Sequence, residues 1–132
     1  MVIDKELLDE LTSLAKQTPR LRQAYDLRNS IDDKSQRMLN ALEPGTVLPT
    51  HCHGTTSEAA SLIRGRVRQN MYDDKGNFMK TFIASADGFP NFYVAPMGMW
   101  YNTECLESGT VIFEAKDGAY TPLIAEDIIS LS

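Results

Sequence analysis

Cysteine and histidine are both scarce, at two residues each in 132. Two cysteines, Cys52 and Cys105, are too few for the disulfide framework that holds small secreted domains together, and they are expected to be reduced thiols. Positive charge is also in short supply. Thirteen Lys plus Arg stand against eighteen Asp plus Glu, a net charge of -5, so a nonspecific grip on nucleic acid or an anionic membrane is not expected. No stretch approaches the ~20 consecutive apolar residues that a membrane-spanning helix needs. The opening Met1-Val2-Ile3-Asp4-Lys5-Glu6 lacks the basic start and apolar run of an export signal, which gives the expectation of a soluble cytoplasmic protein. A glycine-rich phosphate loop, a Ser/His/Asp nucleophile signature and a Cys-x-x-Cys pair are missing too. What is left is an ordinary globular balance, 42% hydrophobic and 23% charged, enough for one core and one domain.

Leu7, Leu8, Leu11, Leu14 and Ala15 recur at helical spacing. Asp4 suits the N-cap, Ile3 and Leu8 suit a hydrophobic staple around it, and Pro19 forces an end before it. A mixed segment, residues 20–34, follows. From about Gln36 onward, short apolar or alternating runs are separated by turn residues, the pattern of a many-stranded antiparallel domain. Runs at 67–72, 78–83, 92–95 and 110–115 have strand length. Residues 1–35 are therefore read as a helical lead-in and residues 36–132 as one β barrel or sandwich. Leu42-Glu43-Pro44-Gly45-Thr46-Val47 nearly repeats as Leu106-Glu107-Ser108-Gly109-Thr110-Val111, so similar glycine turns feed two strands unless the match is chance.

Both histidines, His51 and His53, stand two apart. On a strand, residues i and i+2 project to one face, so the two imidazoles converge while Cys52 points outward. Gly54-Thr55-Thr56-Ser57 then makes a turn that brings Glu58 back as an anionic third donor. Two imidazoles and a carboxylate bind a divalent transition metal and leave positions open for water or substrate. The alternative is a pair of surface histidines beside an unrelated glutamate, and spacing does not separate the two.

The spacing Gly45, His51, His53, Glu58, Gly65 resembles the first motif of the cupin superfamily at every fixed position. The leading helix, Pro19-Arg20-Leu21-Arg22, the run from Gln36 to Thr46 and Val111-Ile112-Phe113-Glu114 are similar to the small WbuC-type cupin metalloproteins. The resemblance implies a mainly all-β fold, a double-stranded β-helix or jelly-roll barrel behind a short N-terminal helix. It implies a metal, iron, manganese, nickel or zinc, on His51, His53 and Glu58. It also suggests a sugar or nucleotide-sugar substrate in surface-polysaccharide metabolism, and a homodimer. The second cupin motif departs from the pattern. Pro96-Met97-Gly98-Met99-Trp100 keeps its proline and glycine, but Tyr101 occupies the place of the third histidine and Cys105 that of an asparagine. Tyr101 is expected to donate a hydrogen bond and to give acid–base help, and Cys105 to sit near the barrel mouth.

Alternation places Ala60 and Leu62 on the side of Glu58, leaving volume beside it or space filled from facing strands. Trp100, Tyr93, Phe92 and Phe113 are candidates for such walls, and Trp100 for stacking on a sugar ring. Arg20, Arg22, Arg28 and Arg37 cluster ahead of the barrel. They either clamp a phosphate, with Arg20 and Arg22 as substrate-binding candidates, or offset Asp26, Asp32 and Asp33. Arg64, Arg66 and Arg68 read as an exposed strand face. Three functions compete: metal-assisted isomerase- or epimerase-like chemistry, an Fe(II) dioxygenase, and a non-catalytic small-molecule or glycan-binding module with a degenerate metal site.

Overall fold

The computed structural model describes residues 1–46, 48–52, 54, 56–120 and 128–129. One helix, α1 (Lys5–Gln17), precedes ten strands: β1 (Arg22–Asp26), β2 (Ser35–Leu42), β3 (Thr50–His51), β4 (Glu58–Arg64), β5 (Arg66–Tyr72), β6 (Phe78–Ser85), β7 (Phe92–Ala95), β8 (Trp100–Cys105), β9 (Thr110–Asp117) and β10 (Ile128–Ile129). They form two five-stranded antiparallel sheets, ordered β1-β2-β9-β4-β7 and β10-β3-β8-β5-β6. This is the jelly-roll architecture of the cupin fold, mainly β with one N-terminal helix.

The Asp4 carboxylate caps α1 by accepting from the Leu7 amide at 3.0 Å, and the helix ends at Thr18, just before Pro19. Its apolar face, Leu8, Leu11 and Ala15, packs on Leu39, Ala41 and Val111, so α1 covers the outer face of the first sheet. Arg64 fastens it there. Nη1 donates to Asp9 at 2.7 Å, Nη2 to Thr12 Oγ1 at 3.0 Å and Nε to the Gly109 carbonyl at 2.7 Å. The expected exposed strand face of arginines is thus broken at Arg64, which is partly buried because the helix lies over it. The mixed lead-in also supplies a strand, since β1 pairs along β2 from Arg22↔Leu42 to Asp26↔Met38.

Between the sheets lies an apolar cluster of Leu42, Ala60, Leu62, Val67, Ala84, Cys105 and Ile112. Cys105 therefore sits in the core and not at the mouth, because it pairs with Val67, four residues along β8 from Tyr101. Its Sγ lies 3.4 Å from the Leu42 carbonyl.

The repeated turns have a physical role. Gly45 and Gly109 both adopt positive φ, +95° and +84°. The turns interlock through Glu43, whose carboxylate accepts from Ser108 Oγ and from the Gly109 amide, each at 2.6 Å. Gly65 (φ +86°) is required by contact as well as by conformation, since a Cβ there would lie 2.7 Å from Thr110 Cα.

Candidate functional site

A cavity of about 700 Å³ opens at the polar end of the barrel, and His51, Glu58 and Tyr101 all line it. Each arrives from a different strand. Glu58 is the first residue of β4, paired with Ala95 and Lys116. His51 closes the two-residue strand β3 and pairs with Tyr101 of β8. The two rings stand 4.5 Å apart at 51°. His51 Nδ1 lies 2.9 Å from the Pro49 carbonyl. A carbonyl only accepts, so the proton sits on Nδ1 and the lone pair of the neutral ring on Nε2.

Sequence alternation is expected to carry one strand through His51, Cys52 and His53. The structure ends β3 at His51, and Cys52, expected to point outward, is buried. Once regular pairing stops, alternation no longer dictates which way a side chain turns. His53 lies outside the described residues, and among those residues no three histidine, cysteine, aspartate or glutamate side chains gather as a metal-binding group. The described donors fit part of the inferred metal set: an imidazole with Nδ1 tied to a carbonyl, which is how metal-ligating histidines are oriented, and a carboxylate lining the same cavity.

Tyr101 is buried, and its hydroxyl donates to Glu58 Oε2 at 3.3 Å. Burial, then the charges of Glu58 and Glu114, push the phenol far above its ordinary range, so Tyr101 is a neutral donor. Burial likewise raises the Glu58 carboxyl, while Lys116 and the Tyr101 hydroxyl pull it back. Glu114 is more deeply set. Burial first and the neighbouring Glu58 second push its carboxyl up to about 8, against the pull of Asn40 and Lys116.

Sequence reasoning missed Glu114, Lys116, Asn40 and Thr103 as cavity residues. The signal for two of them is alternation along β9, where Ile112 points into the core and Glu114 and Lys116 share its face. A charged residue on the parity of a core isoleucine marks a polar interior. The arginine cluster divides. Arg28 and Arg37 pair with Asp26 at 2.8 Å and Asp33 at 3.0 Å, whereas Arg20 and Arg22 line the cavity and meet no acidic partner among the described residues. Between Arg20 and Arg22, the first residue of β1, Leu21 is held at a left-handed φ of 55°, and Thr18 Oγ1 is bonded to both the amide and the carbonyl of Arg22. Trp100 pairs with Tyr72 and is not among the described residues lining the cavity. Of the other aromatics, Tyr93 packs edge-on against Phe82 inside the barrel. Phe113 turns to the α1 side and Phe92 is exposed, because both lie on outward parity.

Solved structures with this fold include the capsular polysaccharide assembling protein CapF from Staphylococcus aureus, with TM-score 0.67 and 19% identity over 80% of this chain and 30% of that one. KdgF from a Halomonas species gives TM-score 0.60 and 14% identity over 77% and 83% of the two chains. A mutant of oxalate decarboxylase OxdC from Bacillus subtilis gives 0.58 and 21% over 73% and 25%. The chain thus spans under a third of the length of CapF or OxdC. These likenesses show that the chain has the cupin fold. By sequence, the chain belongs to the family described as domain of unknown function DUF6016, which matches residues 3–84. No curated protein matches it. No helix among the described residues is long and apolar enough to cross a membrane.

Proposed function

We propose that the protein is a metal-binding cupin that binds or acts on a sugar or nucleotide-sugar in surface-polysaccharide metabolism, with His51, His53 and Glu58 holding a divalent transition metal. The observation that carries this reading is one cavity lined by His51, Glu58 and Tyr101 together with two arginines that lack an acidic partner among the described residues. In a chain of net charge -5, unbalanced arginines at a cavity call for an anion from outside. CapF, named for capsular polysaccharide assembly, supports the glycan context by likeness of fold.

Held by His51, His53 and Glu58, a divalent metal would supply Lewis acidity toward a carbonyl or hydroxyl of the ligand. The protein's own groups bind and move protons. Arg20 and Arg22 take the phosphate, Glu58 accepts from Tyr101, and the neutral Tyr101 hydroxyl acts as the general acid of an isomerase- or epimerase-like proton shift, giving its proton to one ligand atom and regaining one from another. Fe(II) dioxygenase activity and binding without turnover are the competing outcomes, separated by substrate-dependent oxygen uptake and by saturable binding that survives chelation.

The deciding experiment is elemental analysis of protein purified without a histidine tag. About one metal per chain is expected in the wild type and a large loss in His51→Ala. A wild type without metal, whose metal uptake His51→Ala leaves unchanged, overturns the reading. We also infer a cytoplasmic homodimer joined at sheet edges. Edge strands β6 and β7 expose Phe78, Met79, Ile83, Phe92 and Val94, and an unpaired edge can pair with its own copy across a two-fold axis. Light scattering of wild type and Phe92→Glu tests this, with dimer and monomer expected respectively.

A further inference from the structure

The barrel interior changes from polar at the cavity to apolar at the cluster around Leu62, Val67 and Ile112, and Gln69 of β5 lies at this boundary. It pairs with Thr103 on one side and Phe82 on the other. Gln69 is wholly buried, with 0% exposure. Its Oε1 accepts from Thr103 Oγ1 at 2.6 Å, and its Nε2 has no partner among the described residues. Leaving a buried amide donor unsatisfied is unfavourable, and a methionine of similar length would fill the space without that penalty. Packing therefore does not account for a glutamine here.

Its one hydrogen bond has a consequence at the cavity. Thr103 lines the cavity, and its hydroxyl has a single proton, which is committed to Gln69. The neutral Tyr93 phenol is hydrogen-bonded to Thr103 and, with that proton already committed, donates to its oxygen, which leaves one lone pair for whatever enters. Arg20 and Arg22 belong to the same cavity, on the β1 side, so an occupant reaching from one to the other meets guanidinium donors at one end and a fixed acceptor at the other.

Resting on the reading of this cavity as the ligand site, we propose that Thr103, oriented by Gln69, is a specificity-determining acceptor for a sugar hydroxyl, in a ligand whose phosphate or diphosphate end lies against Arg20 and Arg22. Thr103 touches the ligand and Gln69 is the positioning residue behind it. The neutral polyol end thus enters inward, and the anionic end stays at the arginines.

The probes are UDP-glucose and UDP, titrated calorimetrically into wild type, Gln69→Met, Thr103→Val, Thr103→Ser and the Gln69→Met/Thr103→Val double variant. Gln69→Met and Thr103→Val are each expected to weaken UDP-glucose about tenfold while leaving UDP unchanged. The double variant should be no weaker than Thr103→Val alone, because both changes remove one device. Thr103→Ser, which keeps the hydroxyl, should retain the wild-type preference, and Gln69→Met should melt no lower than wild type. Equal losses for both probes, or no loss for either, overturn the proposal while the ligand site stands, and so does a wild type that binds both probes equally. A wild type that binds neither overturns the ligand reading itself and this inference with it.

Discussion

The ladder formed by β2 and β9 has two faces of opposite character, although they alternate residue by residue along the same strands. On the outer face, Leu39, Ala41 and Val111 are fully buried beneath α1 and form an apolar contact. On the inner face, Asn40, Glu114 and Lys116 line a cavity. Strands of a one-layer barrel usually turn apolar residues in and polar ones out. Here the helix reverses that pattern locally, because it provides a second dry surface on the outside and frees the interior to hold polar groups. Stability and recognition are thereby assigned to opposite sides of the same backbone.

Truncation at the outer face should test that separation most severely. Leu39→Ala removes a side chain that is 1% exposed and is expected to destabilise the protein by about 2–5 kcal/mol, read by urea denaturation. Affinity for any cavity ligand should be unchanged in the folded fraction; a parallel loss of affinity would show the two faces to be coupled.

Next in size is the tether. Arg64→Met keeps the aliphatic stem but removes three hydrogen bonds, two to α1 and one to the Gly109 turn. A loss of about 1–3 kcal/mol is expected, with faster hydrogen exchange confined to the helix and that turn. Uniform acceleration throughout the barrel would mean that the helix is not a separable layer.

The inner face should reveal itself through pH. Glu114 is held up to about 8 in the folded protein and reverts toward 4.5 on unfolding. Between those values the unfolded chain binds fewer protons than the folded one, so stability falls as pH rises through the window. Glu58 shifts in the same direction, and the two titrate as a pair. In chelated protein, Glu114→Gln should flatten the decline in denaturation midpoint across this window, whereas Leu39→Ala should lower the whole curve without changing its slope. An undiminished slope in Glu114→Gln would remove Glu114 from the buried polar set. The smallest effect belongs to the solvent side of α1. Lys5 and Asp9 pair at 2.6 Å but are 85% and 48% exposed, so Lys5→Ala should change stability by less than about 0.5 kcal/mol, a shift that salt abolishes.

Much of this architecture was legible in residue order. The Asp4 cap, the stop before Pro19 and the glycine turns at Gly45 and Gly109 are local effects of side-chain and backbone chemistry, and the structure has them where the sequence puts them. The placement of Ala60 and Leu62 in the interior follows from alternation along an unbroken strand. One expectation failed where alternation was extended past the end of pairing, and another where position along a still-paired strand decides depth. Cys52 follows a strand of two residues and is buried, and Cys105 lies in the apolar cluster and not at the mouth. Thr103 escaped notice because nothing near it in sequence suggests chemistry, and Glu114 because its signal, sharing the face of Ile112 on β9, speaks only once that face is known to point inward.

Residue order by itself determined the capped helix, the antiparallel strands and the Gly-His-x-His-Glu-Gly spacing, since each depends on groups a few residues apart. Only the tertiary structure decided that Glu114 faces Glu58, that Gln69 holds Thr103, and that Arg20 and Arg22 share a cavity with Tyr101. Those relations depend on strand register across up to 94 residues of chain order counted from Arg20 to Glu114, and register is set by how two sheets and a helix close on one another.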